Sequence, residues 1–170
     1  NSFPLSPGDE VVLTDHEYGA VLRIWRRACG QAGTGPPIVA ELPQPLASVE
    51  QVVASILAAV TERTRLIVVS HVTSPTALIL PVREICQAAR TMGIAVCVDG
   101  PHAPAQVPLE LDTLGCDFYT ASCHKWLSAP FGCGFLYVAP PHQDRVRPPV
   151  LSWGRLPPET PRGWLDEFPW

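Results

Sequence analysis

The fold is decided by the stretch Ile94-Ala-Val-Cys-Val-Asp-Gly-Pro-His102, an apolar run that ends in polar and turn-forming residues. Five consecutive apolar residues are typical of a strand that is covered on both faces of a parallel sheet. A second stretch has the same form, because Asp117-Phe-Tyr-Thr-Ala121 leads into Ser122-Cys-His-Lys-Trp126. Open α/β sheets bind ligands beyond the carboxyl ends of their strands, so these polar residues are expected to meet in one crevice.

The rest of the chain alternates strand-like and helix-like segments around these two stretches. Strands are predicted at residues 11–14, 38–42, 66–69, 94–98, 117–121 and 132–138, and helices at 18–32, 48–63, 81–92 and 109–114. The helix at 48–63 opens with a capping box, in which Ser48 precedes Gln51 by three residues. The alternation predicts an α/β fold with a mainly parallel sheet and helices on both faces.

Composition divides the chain into two parts. Residues 1–139 are expected to form one domain, because their strands and helices supply an apolar core. Residues 140–170 contain three Pro-Pro pairs and three tryptophans without periodicity, and are predicted to be an extended segment that packs on further chain or on another subunit.

Charge and hydropathy limit the kinds of partner. The net charge of −4 comes with no basic stripe, so neither nucleic acid nor an anionic lipid surface is expected as a partner. No apolar run approaches the roughly 20 residues that span a bilayer, and a cytoplasmic location is expected. The 6 cysteines form no CxxC pair and are predicted to be free structural thiols, with Cys123 not expected to act in catalysis.

Lys125 and Asp99 are the residues with the clearest chemistry. Lys125 is the only lysine of the chain, and an amine in an apolar crevice beside a histidine can act as a nucleophile; the structural alternative is a surface lysine that reaches into solvent. Asp99 ends a buried strand, where a carboxylate needs a cationic partner such as a protonated pyridine nitrogen; the alternative is a helix cap. Neither a GxGxxG nor a GxxxxGK[ST] motif occurs, which excludes Rossmann and P-loop sites.

The two stretches, Asp99-Gly-Pro-His102 and Ser122-Cys-His-Lys-Trp126, resemble the class V aminotransferases that use pyridoxal 5'-phosphate (PLP). That family includes cysteine desulfurases and isopenicillin N epimerase-like proteins, and the resemblance implies the large domain of PLP fold type I. It also implies a role for each residue. Asp99 would bind the pyridine nitrogen, His102 the phenolic oxygen, Ser122 and His124 the phosphate, and Lys125 would form the Schiff base.

Two further stretches support the resemblance. Thr14-Asp-His-Glu-Tyr-Gly-Ala20 is similar to the family segment that stacks an aromatic ring on the cofactor. His16 is predicted to be that ring and a catalytic residue, with Tyr18 as the alternative. Ser70-His-Val-Thr-Ser-Pro-Thr76 places Ser74 near cofactor or substrate, although a loop serine can equally serve as a turn former.

The resemblance is closest to the isopenicillin N epimerase-like branch and implies an amino-acid substrate and a homodimer in the full-length protein. Epimerisation, transamination and desulfuration all remain open. The family's phosphate-binding turn is expected before Asn1 and its carboxylate-binding arginine after Trp170, so the sequence is interpreted as an internal fragment.

Two other functions are compatible with the residues. A phospho-receiver-like module would also place an aspartate, a serine and a lysine in one crevice, and would require Asp15 and Glu17 to form an acidic pair for a metal ion. A catalytically inactive homologue or fragment could serve as an interaction module through the segment at 140–170. Binding of PLP would distinguish the inactive homologue from the enzyme.

Overall fold

A six-stranded sheet organises the part of the chain that this computed structural model describes, residues 3–45 and 48–146. The strands are β1 (Glu10–Thr14), β2 (Ile38–Ala40), β3 (Thr64–Ser70), β4 (Ala95–Asp99), β5 (Phe118–Ser122) and β6 (Gly134–Val138). The helices are α1 (Gly19–Ala32), α2 (Val49–Ala58), α3 (Val82–Thr91) and α4 (Leu111–Leu114), and Pro140–Arg145 form a 3-10 helix.

The strand order across the sheet is β2-β1-β3-β4-β5-β6. Strands β1 to β5 pair in parallel, and β6 alone among these six runs antiparallel to its neighbour, β5. The predicted mainly parallel α/β sheet is therefore confirmed. This topology brings the carboxyl ends of β1, β3, β4 and β5 to one edge, which is where the polar residues of the sequence lie.

Alternation along the strands divides the sheet into two faces. Val69, Val98 and Tyr119 are fully buried and share one apolar core with residues of α2 and α3. The residues that follow them, Ser70, Asp99 and Thr120, are in register across β3, β4 and β5. Because side chains alternate along a strand, these three point to the opposite face.

Helix α2 ends at Ala58, five residues before the predicted end at Arg63. Residues 61–64 instead form a turn, in which the Thr64 amide donates to the Thr61 carbonyl over 3.0 Å. Glu10 at the start of β1 holds this turn, because its carboxylate accepts hydrogen bonds from the Thr61 hydroxyl and the Arg63 guanidinium. Residues 61 and 63 thus bind the start of β1 instead of extending the helix.

Residues 147–170, most of the predicted extended segment, lie outside the described residues. Its first part, Pro140–Arg145, is a 3-10 helix rather than extended chain. Leu5–Gln143 form one compact unit. Within residues 3–45 and 48–146, no helix has the length and apolar character needed to cross a membrane.

Candidate active site

A row of polar side chains lies across the carboxyl ends of β3, β4 and β5. Ser70 is the register partner of Asp99, and Asp99 is the register partner of Thr120. The Thr120 hydroxyl donates a hydrogen bond to Oδ1 of Asp99 over 3.2 Å. The row therefore presents a carboxylate on the sheet face opposite to α2 and α3, with one oxygen already oriented by a neighbour.

Asp99 is a carboxylate that would accept a cation. Burial raises the pKa of Asp99, while the hydrogen bond from Thr120 and the positive charge of Lys125 lower it. Asp99 ends β4 and Lys125 follows the end of the parallel strand β5, so both residues lie at the same end of the sheet. A buried carboxylate of this kind is stabilised by a cation that comes within hydrogen-bonding distance.

Lys125 lies in the loop after β5 and contacts His102, which follows β4. The distance from Lys125 Nζ to His102 Nε2 is 2.9 Å, and Trp126 Nε1 donates to His102 Nδ1 over 3.2 Å. Burial and the charge of Lys125 both lower the pKa of His102, so its ring is neutral at pH 7.

A neutral imidazole has one acceptor nitrogen and one N–H. Because the indole N–H of Trp126 can only donate, the hydrogen-bond network assigns Nδ1 of His102 as an acceptor. Nε2 of His102 lies 2.9 Å from Nζ of Lys125, which places the ring in direct contact with the amine. An amine acts as a nucleophile in its uncharged form.

His124 and Ser122 stand on either side of Cys123 at the end of β5. Nδ1 of His124 is buried and has no hydrogen-bond partner within residues 3–45 and 48–146, and the ring lies 5.2 Å from that of Phe131. Ser122 alternates with Thr120 and so projects toward the same face as Asp99. A buried ring nitrogen without a partner is costly, and an anionic ligand oxygen would satisfy it.

Glu17 is a buried residue of the site that the sequence suggested only as one member of an acidic pair for a metal ion. Its carboxylate accepts hydrogen bonds from the Thr14 hydroxyl (2.7 Å), the Ser70 amide (3.0 Å) and the Ser70 hydroxyl (2.6 Å). Burial raises the pKa of Glu17, the three hydrogen bonds lower it, and the negative charge of Asp99 raises it further. The position of Glu17 in Asp15-His16-Glu17, at the end of a strand, indicated a possible site residue. Nothing in the sequence indicated that Ser70 would bind it.

His16 and Tyr18, the two candidates for the stacking ring, occupy different surroundings. His16 is buried, its Nδ1–H donates to Asp15 over 2.8 Å, and its Nε2 accepts from Gln44 over 3.0 Å. Tyr18 is 54% exposed, and its ring centroid lies 6.0 Å from Nζ of Lys125. The structure therefore places Tyr18 beside the lysine and holds the His16 ring at both nitrogens.

Asp15 and Glu17 do not form the acidic pair that a receiver-like module requires. Asp15 accepts from His16 and from the Leu42 amide, next to β2, whereas Glu17 is bound to Ser70 of β3. These two strands lie on opposite sides of β1. The receiver-like alternative is therefore wrong.

Ser74 lies in the exposed loop after β3 and lines a cavity of about 290 Å³. His102, Gln106 and Trp126 are among the other residues of that wall. The loop itself is held by Thr73, whose hydroxyl accepts from the Leu78 amide over 2.8 Å. The structure thus brings Ser74 to the same region as His102, with space for a small ligand between them.

A tight contact on the helix side of the sheet supports the turn after Asp99. Tyr119 is fully buried, and its hydroxyl lies 2.8 Å from Nδ1 of His71. A Cβ at Gly100 would lie 2.1 Å from the Tyr119 hydroxyl oxygen, so this position must be glycine. The contact sets the direction in which the chain leaves β4 toward His102.

Three comparisons with known proteins agree with this geometry. The family model described as aminotransferase class-V matches residues 1–156. The isopenicillin N epimerase of Amycolatopsis lactamdurans is 42% identical over 165 residues, which is 96% of this chain and 42% of that protein. The chain thus spans less than half the length of this relative.

Two solved structures resemble the fold closely. A lysine-to-alanine mutant of C-DES, with glycine covalently linked to its PLP cofactor, superposes with a TM-score of 0.78 and 26% identity, over 89% of this chain and 40% of that one. The cysteine desulfurase CsdA of Escherichia coli gives the same TM-score and identity, over 96% of this chain and 39% of that one. The chain therefore belongs to the aminotransferase class-V family.

Proposed function

We propose that this chain binds PLP through Lys125 and contributes that lysine to a reaction at the α-carbon of an amino acid. The observation that carries the proposal is the 2.9 Å contact between Nζ of Lys125 and His102, a residue of the turn that follows Asp99 at the end of β4. The PLP cofactor linked to glycine in the C-DES structure supports it. A cytoplasmic location and a homodimer stay predictions.

The residues of the crevice fit the parts of the cofactor. Asp99 would hold the pyridine nitrogen, His102 the phenolic oxygen, and Ser122 with His124 the phosphate. The unpartnered Nδ1 of His124 supports the phosphate assignment, because a buried nitrogen of this kind requires an oxygen partner. His16 would stack on the ring, with Tyr18 as the alternative, and Ser74 would contact cofactor or substrate.

When bound, PLP supplies an electron sink for a carbanion at the substrate's α-carbon. Asp99 strengthens that sink, because a carboxylate at the pyridine nitrogen keeps this nitrogen protonated. His102 orients Nζ of Lys125 through the 2.9 Å contact. The amine of Lys125 would hold the aldehyde carbon of the cofactor and, when free, would take a proton from the substrate's α-carbon or return one.

This half of the mechanism is common to epimerisation, transamination and desulfuration. Relatives of the chain include an isopenicillin N epimerase and a cysteine desulfurase, so its substrate is proposed to be an amino acid or a compound with an amino-acid end. The second candidate is an inactive homologue that acts as an interaction module. It is favoured by the exposed apolar residues near the lysine, such as Trp126 at 52% and Phe131 at 93% exposure.

The test uses the single lysine. The full chain is mixed with PLP, reduced with borohydride and digested, and the modified peptide is identified by mass spectrometry. We expect the pyridoxyl group only on the peptide that contains Lys125, and no modification in Lys125→Ala or in the charge-matched Lys125→Arg. Equal labelling of the variants at the N-terminal amine would overturn the amine assignment, and absence of PLP binding would favour the interaction module.

A further inference from the structure

Cys123 and Cys133 face each other where the β5–β6 hairpin opens into the loop that carries the lysine. Ser122 is the register partner of Gly134, so Cys123 and Cys133 are the next residues outward on the two strands. The Cys123 amide donates to the Cys133 carbonyl over 2.9 Å, which continues the antiparallel ladder by one step. The loop between them, residues 124–132, contains His124 and Lys125.

This position suits a disulfide bond. Directly opposed residues of an antiparallel pair have Cα atoms about 4.5–5.5 Å apart, within the range of about 4.4–6.8 Å for disulfides. Opposed side chains also project to the same face. Burial raises the pKa of Cys123, and the Cys133 thiol raises it further, in agreement with the register of the two strands.

The other cysteines are protected from reagents. Cys29, Cys86 and Cys116 are buried, with at most 3% of each exposed, and burial raises the pKa of Cys97 to about 12. Cys133 is exposed and Cys123 is partly exposed. Since thiolates are the reactive form and need access to the oxidant, this pair is the place where oxidation would begin.

We propose that Cys123 and Cys133 form a reversible disulfide when the chain meets a low-molecular-weight disulfide, and that this bond closes the loop that carries His124 and Lys125. The Cys133 thiolate attacks one sulfur of the small disulfide and displaces the other sulfur as a thiolate. The Cys123 thiolate then attacks the Cys133 sulfur and displaces the second small thiolate. The two cysteines lose two electrons in total, and the small disulfide is reduced to two thiols that take up the two protons.

The proposed disulfide would restrain the loop through the backbone hydrogen bonds of Cys123. Besides its amide contact with Cys133, its carbonyl accepts from the Ala129 amide over 3.1 Å. A covalent bond at this residue therefore restrains both ends of the segment that contains Lys125. The inference is independent of the proposed function, because it concerns thiols and would hold for a chain that binds no cofactor.

The test counts and maps thiols. The full chain is incubated with oxidised glutathione, blocked with N-ethylmaleimide and digested without reduction. We expect a loss of two of the 6 thiols, one linked peptide pair containing Cys123 and Cys133, and full recovery with dithiothreitol. Cys116→Ser serves as the matched control and should give the same linked pair.

Two substitutions of Cys133 test the proposed disulfide directly. Cys133→Ser and Cys133→Ala should both abolish the linked peptide. The proposal is overturned if the chain of natural sequence carries separate glutathione adducts on the two cysteines, keeps both thiols free, or links them between two chains on a non-reducing gel. Labelling of Lys125 by PLP is a separate readout, so failure here leaves the proposed function standing.

Discussion

At the scale of single residues, the ring nitrogens of three histidines of the site differ in their hydrogen-bond partners. Nδ1 of His102 is engaged by Trp126, and both ring nitrogens of His16 are engaged by Asp15 and Gln44. Nδ1 of His124 differs, because it is buried and has no partner in the described part of the chain. Of these three histidines, His124 is therefore the one whose Nδ1 would form a new hydrogen bond with a ligand oxygen.

We predict that His124→Ala weakens PLP binding by about 10- to 100-fold, the loss that corresponds to one hydrogen bond to a charged group of about 1.5–3 kcal/mol. The affinity for pyridoxal, which lacks the phosphate, should change by less than about threefold. Titrations that follow tryptophan fluorescence would measure both constants. His142→Ala is the control, since His142 pairs with Asp117 through a 2.7 Å contact. Equal weakening for both ligands would show that His124 does not bind the phosphate.

At the scale of elements, the turn after β4 depends on a contact that spans two strands. Gly100 leaves room for the ring of Tyr119 on β5, and the hydroxyl of that ring contacts His71 after β3. The ends of β3 and β4 are therefore held against Tyr119 of β5 on the helix side, while Asp99 faces the crevice on the other side.

Gly100→Ala is expected to destabilise the fold by about 2 kcal/mol or more, because a Cβ would lie within 2.3 Å of three Tyr119 atoms and force the ring to move. Gly30→Ala is the matched control. Gly30 lies within α1, and a Cβ there meets no atom within 4 Å, so this change should stabilise the helix by about 0.5–1 kcal/mol. Urea unfolding measures both free energies, and equal values for the two variants would refute the packing argument.

Local sequence patterns predict the elements that depend on their own residues. They do not predict features that depend on contacts with residues distant in the sequence. The apolar runs that became β3, β4 and β5 were recognisable, and so were Asp99, His102 and Lys125 at their ends. The end of α2 was not, because Thr61 and Arg63 bind Glu10, which lies more than 50 residues away. The role of Glu17 was not predicted either, since its partner Ser70 lies 53 residues away.

At the scale of the whole molecule, two buried carboxylates influence how stability depends on pH. Burial raises the pKa of both Glu17 and Asp99, and each carboxylate is largely surrounded by protein. The folded state therefore binds protons more tightly at these sites than the unfolded state does. Stability from such groups is fully present below the ordinary pKa and is lost as the pH rises through the raised value.

We predict that Glu17→Gln reduces the loss of stability that occurs as the pH rises. An amide can keep the partners Thr14 and Ser70 without carrying a charge, so the free energy of unfolding of the variant relative to the natural chain should increase as the pH rises above 4.5. Urea unfolding between pH 4 and pH 8 measures the difference. Glu50→Gln should show the opposite trend, because hydrogen bonds at the start of α2 lower the pKa of the exposed Glu50. A flat difference for Glu17→Gln would contradict the prediction.

The strand order also determines when the site can exist during biosynthesis. From β3 onward, each new strand joins the outer edge of the sheet in the order in which it leaves the ribosome. Asp99 is translated with β4, whereas Lys125 follows β5 and its loop is completed by β6. Residues 1–99 therefore contain the carboxylate but not Lys125. The proposed attachment of PLP through Lys125 would require that synthesis has continued past β5.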